Sequence, residues 1–513
     1  MPDGPPPASD APEAPPGRLP SSDNVILVVV CLAQFMVVLD ISIVNVALPA
    51  IQRSLHFQAV DLQWVVTAYA LTFGGLLLLG GRLADLFGRR RIFLVGLGVF
   101  TVASLLGGFA TNQATLIAAR SLQGVGAAIL SPATLTILTV TFQDQRARAR
   151  AFGVWSAVAA GGGAAGALFG GVLTQYLSWR WILFVNVPIG IALFAVARLR
   201  LQESKAEGAR QRLDVAGGVA VTGALFLLVY AISHTDVVSW TATSTLVVLA
   251  ASAVLLLAFI FIEARAASQP LIPLRLFRIR SVTGANLVMF CFGVGMFAMW
   301  FFLSLYLQQV LGYGPVVTGL TFVPQTAAIA IGATMSGRLA PRLGPRNVLM
   351  AGSLMAAGGL FWLSFIQAGD NYWTGACGGG ILATFGMGVA LTPIALLATG
   401  GVPREEAGLA SGLVNCSRQI GASLGLAALT TLAASHTASV LVHGTSSGHE
   451  PGAPGPVKVA MTAGYSRAFL IASVVVLAGG LLALVIPPPR DSVPGWGGNA
   501  TEVGQSDAPV MVD

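Results

Sequence analysis

The feature that most constrains this chain is the recurrence of long, almost uncharged apolar runs along its length. An α-helix needs about 20 apolar residues to cross the ~30 Å hydrocarbon core of a bilayer. Fourteen runs of this length are present, at about 25–48, 62–80, 91–110, 113–139, 150–173, 181–199, 214–233, 244–263, 283–308, 316–337, 347–367, 374–399, 407–434 and 467–487. Only 10% of the residues are charged, against about 25% in soluble domains. The sequence therefore predicts an all-α integral membrane protein with fourteen transmembrane helices.

The distribution of Lys and Arg predicts how these helices are oriented. Of the 28 basic residues, 22 fall on the side of the N-terminus, four fall on the other side, and two lie within the spans. Positive loops are retained in the cytoplasm, so we expect both termini to be cytoplasmic in a bacterial inner membrane. The same asymmetry accounts for the net charge of +7 without nucleic acid. Residues 1–24 and 489–513 are predicted to be disordered cytoplasmic tails.

An internal repeat predicts the domain organisation. The segment Gly81–Arg90 recurs as Gly337–Arg346, 256 residues later, each time after the second span of a six-span set. Secondary transporters commonly alternate access by moving two such halves around a central site. We therefore expect one six-helix half at 25–200, a linker with two inserted helices at 201–280, and a second six-helix half at 281–488.

Three ionisable side chains lie well within the predicted spans, namely Asp40, Arg120 and Arg418. Charge inside hydrocarbon is costly, so such residues suggest a functional site. From the helical rise they lie ~22, ~20 and ~17 Å from the cytoplasmic end, close enough in depth for Asp40 and Arg120 to meet. A carboxyl beside an arginine can load and release a proton when its access changes; the alternative is a static ion pair that fixes helix register. Arg418, next to Gln419, either binds substrate or caps carbonyl groups of a neighbouring helix.

Four segments carry recognisable patterns: Asp40–Pro49 (DISIVNVALP), Gly81–Arg90 (GRLADLFGRR), Arg120–Ala128 (RSLQGVGAA) and Gly162–Gly171 (GGAAGALFGG). In this order they resemble the motifs of the fourteen-span drug:proton antiporters of the major facilitator superfamily. The likeness covers about residues 25–490.

The resemblance implies roles for individual residues. Asp40 matches the essential acid of the family, and Arg120 matches the arginine that assists proton transfer. A conformational latch on the cytoplasmic side is implied for Gly81, Asp85, Gly88, Arg89 and Arg90, although a merely topogenic basic loop is the alternative. Close helix packing within the antiporter signature is implied for Gly162, Gly166, Gly170 and Gly171. Ala167 stands where that signature has proline, and this departure leaves the direction of transport open.

These observations lead us to expect a transporter and not an enzyme, which exports lipophilic drugs or antibiotics in exchange for protons. A proton-coupled nutrient symporter and a lipid or siderophore exporter of the same fold are the alternatives. Polar or aromatic residues that could line a substrate cavity, with core packing as the default interpretation of each, are Asn45, Gln123, Trp300, Tyr306, Gln325 and Asn415. Arg418 is the seventh candidate, with carbonyl capping as its alternative.

The remaining expectations concern energy source, metals and assembly. Neither lysine of the chain belongs to a Walker A motif, so we expect the proton gradient and not ATP to supply the energy. We expect no cofactor, no metal and a monomer in the lipid bilayer. His436, His443 and His449 are predicted to lie in a solvated outer loop at about 434–466.

Overall fold

The computed structural model describes residues 21–205, 213–236, 238–266, 270–403, 406–444 and 455–484. This part of the chain is almost entirely helical and contains no β-strand. In chain order its fifteen α-helices are α1 (Ser21–Leu55), α2 (Trp64–Phe87), α3 (Arg89–Gly108), α4 (Gln113–Thr141), α5 (Gln145–Tyr176), α6 (Trp181–Phe184), α7 (Asn186–Arg200), α8 (Val215–Ser233), α9 (Thr243–Phe261), α10 (Arg280–Leu305), α11 (Pro315–Leu343), α12 (Pro345–Leu363), α13 (Gly378–Thr399), α14 (Ala407–Gly444) and α15 (Pro456–Leu482).

The helices confirm the predicted membrane fold. Thirteen segments of the described residues are long and apolar enough to cross a bilayer, with α6 and α7 together forming one of them. The fourteenth is α12, which is less apolar because Arg346 and Asn347 lie in its first turn. It is nevertheless packed inside the helix bundle: a Cβ at Gly359 would lie 2.2 Å from the Ala383 amide nitrogen of α13.

The two predicted halves are α1–α7 and α10–α15, and the inserted pair α8–α9 lies beside the junction between them. Helix α8 packs against both α2 and α14. Gln63 Nε2, just before α2, donates to Ser233 Oγ at 2.8 Å, and Trp64 stacks on Phe226 with ring centroids 6.0 Å apart. Helix α8 of the insertion therefore contacts both halves, the first through α2 and the second through α14.

In the described part of the chain, the hydrogen bonds between the two halves lie on one side of the molecule, whereas α2 and α14 also pack together nearer to its other side. We call the side that carries the arginine-rich loops the basic side, and the other the opposite side. Inter-half hydrogen bonds on the opposite side are Ser304 Oγ to Asn45 O (2.6 Å), Gln308 Nε2 to Val46 O (2.9 Å), Gln309 Nε2 to Gln52 Oε1 (2.8 Å) and Val316 N to Gln175 Oε1 (3.0 Å). Hydrogen bonds thus hold the two halves together on the opposite side.

Two predicted boundaries are wrong. The outer loop expected at 434–466 is mostly helical, because α14 continues to Gly444 and α15 begins at Pro456. The Ala, Ser and Val residues after 434 contain no helix breaker before that glycine, and proline suits a first helical turn. His436 and His443 therefore lie on α14, while His449 lies outside the described residues. At the other end α1 already begins at Ser21, inside the tail expected at 1–24.

Candidate functional site

A buried ion pair joins the first and fourth helices of the first half. Arg120 Nη1 of α4 lies 2.5 Å from Asp40 Oδ2 of α1, and the two residues are 1% and 0% exposed. Arg120 Nε donates to the Val65 carbonyl oxygen at 2.9 Å. Its guanidinium carbon lies 4.6 Å from the centroid of the Tyr69 ring. The structure therefore brings together the two charges that the sequence placed at similar depth.

Amide groups complete the surroundings of the Asp40 carboxylate. Gln123 Nε2 and Asn186 Nδ2 donate to Asp40 Oδ1 at 3.0 and 2.9 Å. Gln123 Nε2 also contacts Ser104 Oγ at 2.6 Å, and its Oε1 accepts from Arg120 Nη1 at 2.8 Å. An ionised carboxylate only accepts hydrogen bonds, so this network suits the ionised form. Asn186 and Ser104 were missed by the sequence reasoning, although both are polar residues within apolar spans and could have been found on that basis.

Three glycines of α5 set the position of the helix that carries Asp40. A Cβ at Gly162, Gly166 or Gly170 would lie 2.7–2.9 Å from a backbone carbonyl oxygen of α1. Ser42 Oγ, two residues after Asp40, donates to the Gly163 carbonyl oxygen at 2.6 Å. The expected close packing is present, and it holds α1 directly against α5.

Alanine at Gly166 is expected to destabilise the fold and reduce transport, because the new methyl group would lie 2.7 Å from the Leu39 carbonyl oxygen. Overpacking of this kind costs roughly 1–3 kcal/mol. Thermal unfolding of the purified protein in mild detergent measures the loss. Gly161→Ala is the matched control, since nothing lies within 4 Å of a Cβ there. Equal melting temperatures for the two variants would contradict the proposed role of the contact.

Other residues of the same segment face the second half. A Cβ at Gly171 would lie 2.5 Å from the Pro315 carbonyl oxygen of α11. The Ala167 carbonyl oxygen would lie 2.4 Å from a Cβ at Gly319. Residue 167, where the family signature has proline, is therefore buried at a close contact between the halves. One face of α5 contacts α1 and another contacts α11.

The loop between α2 and α3 is held by a residue that the sequence reasoning missed. Gly88 has a φ of 102°, which a side chain rarely adopts. Asp85 Oδ1, near the end of α2, lies 3.6 Å from Nη2 of Arg89, the first residue of α3. The Glu203 carboxylate, after the sixth span, accepts from the backbone amides of Arg90 and Arg91 at 3.2 and 3.1 Å. A carboxylate is favourable at this position because the amides at a helix N-terminus lack partners. Among the described residues, Pro132 alone comes within 4 Å of a Cβ added at Gly81, at 3.7 Å.

The sequence repeat is also a repeat of contacts. Arg90 Nη2 donates to the Arg198 carbonyl oxygen, near the end of the sixth span. Arg346, the equivalent residue 256 positions later, donates through Nη2 to the Leu484 carbonyl oxygen after the last span. Gly344 also has a positive φ, of 80°. In each half, therefore, an arginine at the start of the third span binds a carbonyl oxygen at the end of the sixth span.

The candidate substrate residues do not form one group. Gln123 belongs to the Asp40 network, and Tyr306 is buried with its hydroxyl bonded to the Gln367 carbonyl oxygen at 2.7 Å. Neither side chain is free to contact a substrate in this conformation. Gln325 is buried in the second half, and the half-buried Trp300 packs edge-on against Phe322 with centroids 4.8 Å apart.

The others lie nearer to the interface between the halves. Asn45 uses its side chain within α1, donating to the Ile41 carbonyl oxygen at 3.0 Å. Arg418 of α14 donates to Asn415 Oδ1 at 2.8 Å and lines a pocket between helices α10, α11, α13 and α14. Gly293 of α10 allows the two helices to meet there, since an added Cβ would lie 2.2 Å from the Arg418 carbonyl oxygen.

Two related six-helix halves, the first of which contains a buried ion pair, are the architecture of a multi-pass membrane transporter. A family model described as the Major Facilitator Superfamily matches residues 30–426, and the chain belongs to this superfamily. The resemblance of its motifs is thereby confirmed.

Two relatives whose names state a function match most of this chain. The chain is 43% identical to a cephamycin export protein of Amycolatopsis lactamdurans, over 92% of this chain and 94% of the relative. It is 40% identical to a puromycin resistance protein of Streptomyces alboniger, over 93% of each chain. Among solved structures, the transporter PepTSo has a TM-score of 0.65 at 14% identity and covers 91% of this chain and 99% of its own. A bacterial homologue of the lysosomal transporter Spinster, in an inward-facing conformation, has a TM-score of 0.64 at 16% identity and covers 91% and 97%.

Proposed function

We propose that this chain is a secondary active transporter that exports lipophilic drugs or antibiotics from a bacterial cell in exchange for protons. The buried pair of Asp40 and Arg120 is the observation that carries the coupling. The names of the relatives, which include export of a cephamycin and resistance to puromycin, support the substrate class and the direction. The uptake alternative rests on Ala167 alone.

Coupling would work through the bond between the two charges. A proton that reaches Asp40 converts the carboxylate into a neutral acid and weakens its attraction to Arg120, which stays charged. Gln123 and Asn186 then donate to an oxygen of a neutral acid, and these hydrogen bonds are weaker than those to a carboxylate. Because Asp40 lies on α1 and Asn45 of the same helix contacts the second half, the change can reach the interface between the halves. Release of the proton restores the network.

Orientation gives this cycle its direction. The basic side is cytoplasmic under the positive-inside rule, and both termini then lie in the cytoplasm. The opposite side, where hydrogen bonds link the halves, would then face outward. Both halves and the ion pair belong to one chain, which supports a monomeric transporter. The buried carboxyl supports the proton gradient as the energy source, and the absence of a Walker A motif around either lysine argues against ATP.

Everted inner-membrane vesicles from a pump-deficient bacterial host test the direction. When the lumen is acidified, vesicles that contain the protein are expected to accumulate exported compounds, with puromycin and a cephamycin as the first probes. Collapse of the gradient with a protonophore should release them. A symporter that works in uptake would instead deplete the lumen under the same gradient. A broader screen that includes lipids and siderophores separates the remaining alternative.

A further inference from the structure

The pocket around Arg418 combines one charge with an apolar surface. Its lining comes from four helices of the second half, and its seven residues are Met289, Phe292, Met296, Ile329, Met387, Leu391 and Arg418. Arg418 is the only charged residue among them. We propose that this pocket binds the anionic group of an amphipathic organic monoanion through Arg418, so that the exported compounds include lipophilic carboxylates or sulfonates. This inference rests on the proposed function.

Arg418 keeps hydrogen-bonding capacity for a ligand. Within the described part of the chain its guanidinium has no carboxylate within 4 Å. Its hydrogen bond to Asn415 Oδ1, one helical turn earlier, uses Nη2, and a guanidinium has five N–H donors. The planar arrangement of the remaining donors matches a carboxylate or sulfonate, to which arginine commonly binds in a bidentate manner. Asn415 thus orients the side chain without neutralising it.

The acid that could attract a cation is not available to this pocket. Asp40 has no exposed surface, and its carboxylate is occupied by Arg120, Gln123 and Asn186. The ring of Tyr69 covers the guanidinium of Arg120. Tyr69 is itself buried, and it is not one of the residues that line the pocket. The charge presented to a substrate is therefore that of Arg418, which is positive.

The cavity of about 50 Å³ holds only part of a ligand, and its remaining lining residues suit the apolar group next to the anion. Methionine contributes three of the seven residues. Its unbranched, polarisable side chain adapts to different partners, which is typical of promiscuous apolar surfaces. A single fixed charge with adaptable apolar walls selects for the charge of a compound more strictly than for its outline.

The charge of the substrate has a consequence for energetics. An anion that moves outward has the same electrical effect as a positive charge that moves inward. Exchange of a monoanion for protons therefore moves one more net positive charge inward per cycle than exchange of a neutral compound for the same number of protons. Transport of the anion is then driven more strongly by a membrane potential that is negative inside.

Dansylglycine and its neutral amide, dansylglycinamide, test the inference because they share one aromatic body and differ in charge at pH 7. Fluorescence titration of the purified protein in nanodiscs, corrected with empty nanodiscs, measures both dissociation constants without any proton gradient. The wild type is expected to bind the carboxylate at least about tenfold more tightly than the amide. Arg418→Gln is expected to remove this preference while the amide still binds, and Arg418→Lys should retain part of it.

Arg467→Gln is the matched control, since it removes an exposed arginine on α15, outside the pocket, and should leave both constants unchanged. Equal affinities of the wild type for the two probes, failure to bind the carboxylate, or an undiminished preference in Arg418→Gln would each overturn the inference. Continued binding of the amide shows that the variant is folded. None of these results depends on proton-driven export, which the vesicle experiment measures separately.

Discussion

Asp40→Asn is expected to reduce proton-driven accumulation in everted vesicles to the level of vesicles that lack the protein. The amide has nearly the same shape as the carboxyl and keeps an oxygen for the bond to Arg120, but it cannot take up a proton at this site. The two halves can still move relative to each other around a bound substrate and open the site to either side of the membrane. We therefore expect exchange of labelled for unlabelled substrate, without a gradient, to persist.

The two assays separate coupling from folding. Retained exchange with lost accumulation identifies Asp40 as the proton carrier, and loss of both would show that the variant is misfolded or immobile. Accumulation equal to that of the wild type would rule out Asp40 as the carrier. Asp40→Glu serves as the companion variant, because it restores a titratable group on a longer side chain.

Arg120→Ala is expected to be the most destabilising single change near this site. It leaves the Asp40 carboxylate buried with no opposite charge, and the removal of one partner from a buried pair costs roughly 3–5 kcal/mol. It also removes the bond to the Val65 carbonyl oxygen and the contact with the Tyr69 ring. The melting temperature and the yield of folded protein in mild detergent should both fall. The exposed Arg467→Ala is the control and should leave both near the wild-type values.

The double variant Asp40→Asn/Arg120→Gln distinguishes the two interpretations of the pair. It replaces both charges by neutral groups that can still hydrogen-bond, so it should recover much of the stability lost in Arg120→Ala. If the pair carries protons, accumulation remains absent. If the pair only fixes the register of α1 and α4, accumulation returns together with stability, and the coupling role is wrong.

The sequence predicted the architecture well because a bilayer imposes strong local constraints. Each span must satisfy its backbone within itself and must be about 20 apolar residues long, so length and composition identify it without knowledge of its neighbours. The weakest prediction concerned α14, whose extension to Gly444 lies in a segment of moderate polarity. There the close packing of α14 against α15 outweighs composition, since a Cβ at Gly464 of α15 would lie 2.2 Å from Thr437 Oγ1 of α14.

The site was predicted in part. Depth along a helix follows from the constant rise per residue, and it placed Asp40 and Arg120 at one level. Which face each helix presents was not available from that argument. Gln123 was therefore assigned to a substrate cavity, whereas it contacts the Asp40 carboxylate.

By itself, the sequence determined the membrane fold, the paired halves and the identity of the buried charges, because these depend on composition, spacing and repetition along the chain. Only the tertiary structure decided which partners those charges have. Asn186 lies 146 residues from Asp40, and Glu203 lies 113 residues from Arg90. Contacts over such separations depend on how whole helices pack, which no local pattern encodes. For the same reason, only the tertiary structure shows that Arg418 lines an apolar pocket while Asp40 is fully buried and does not line it.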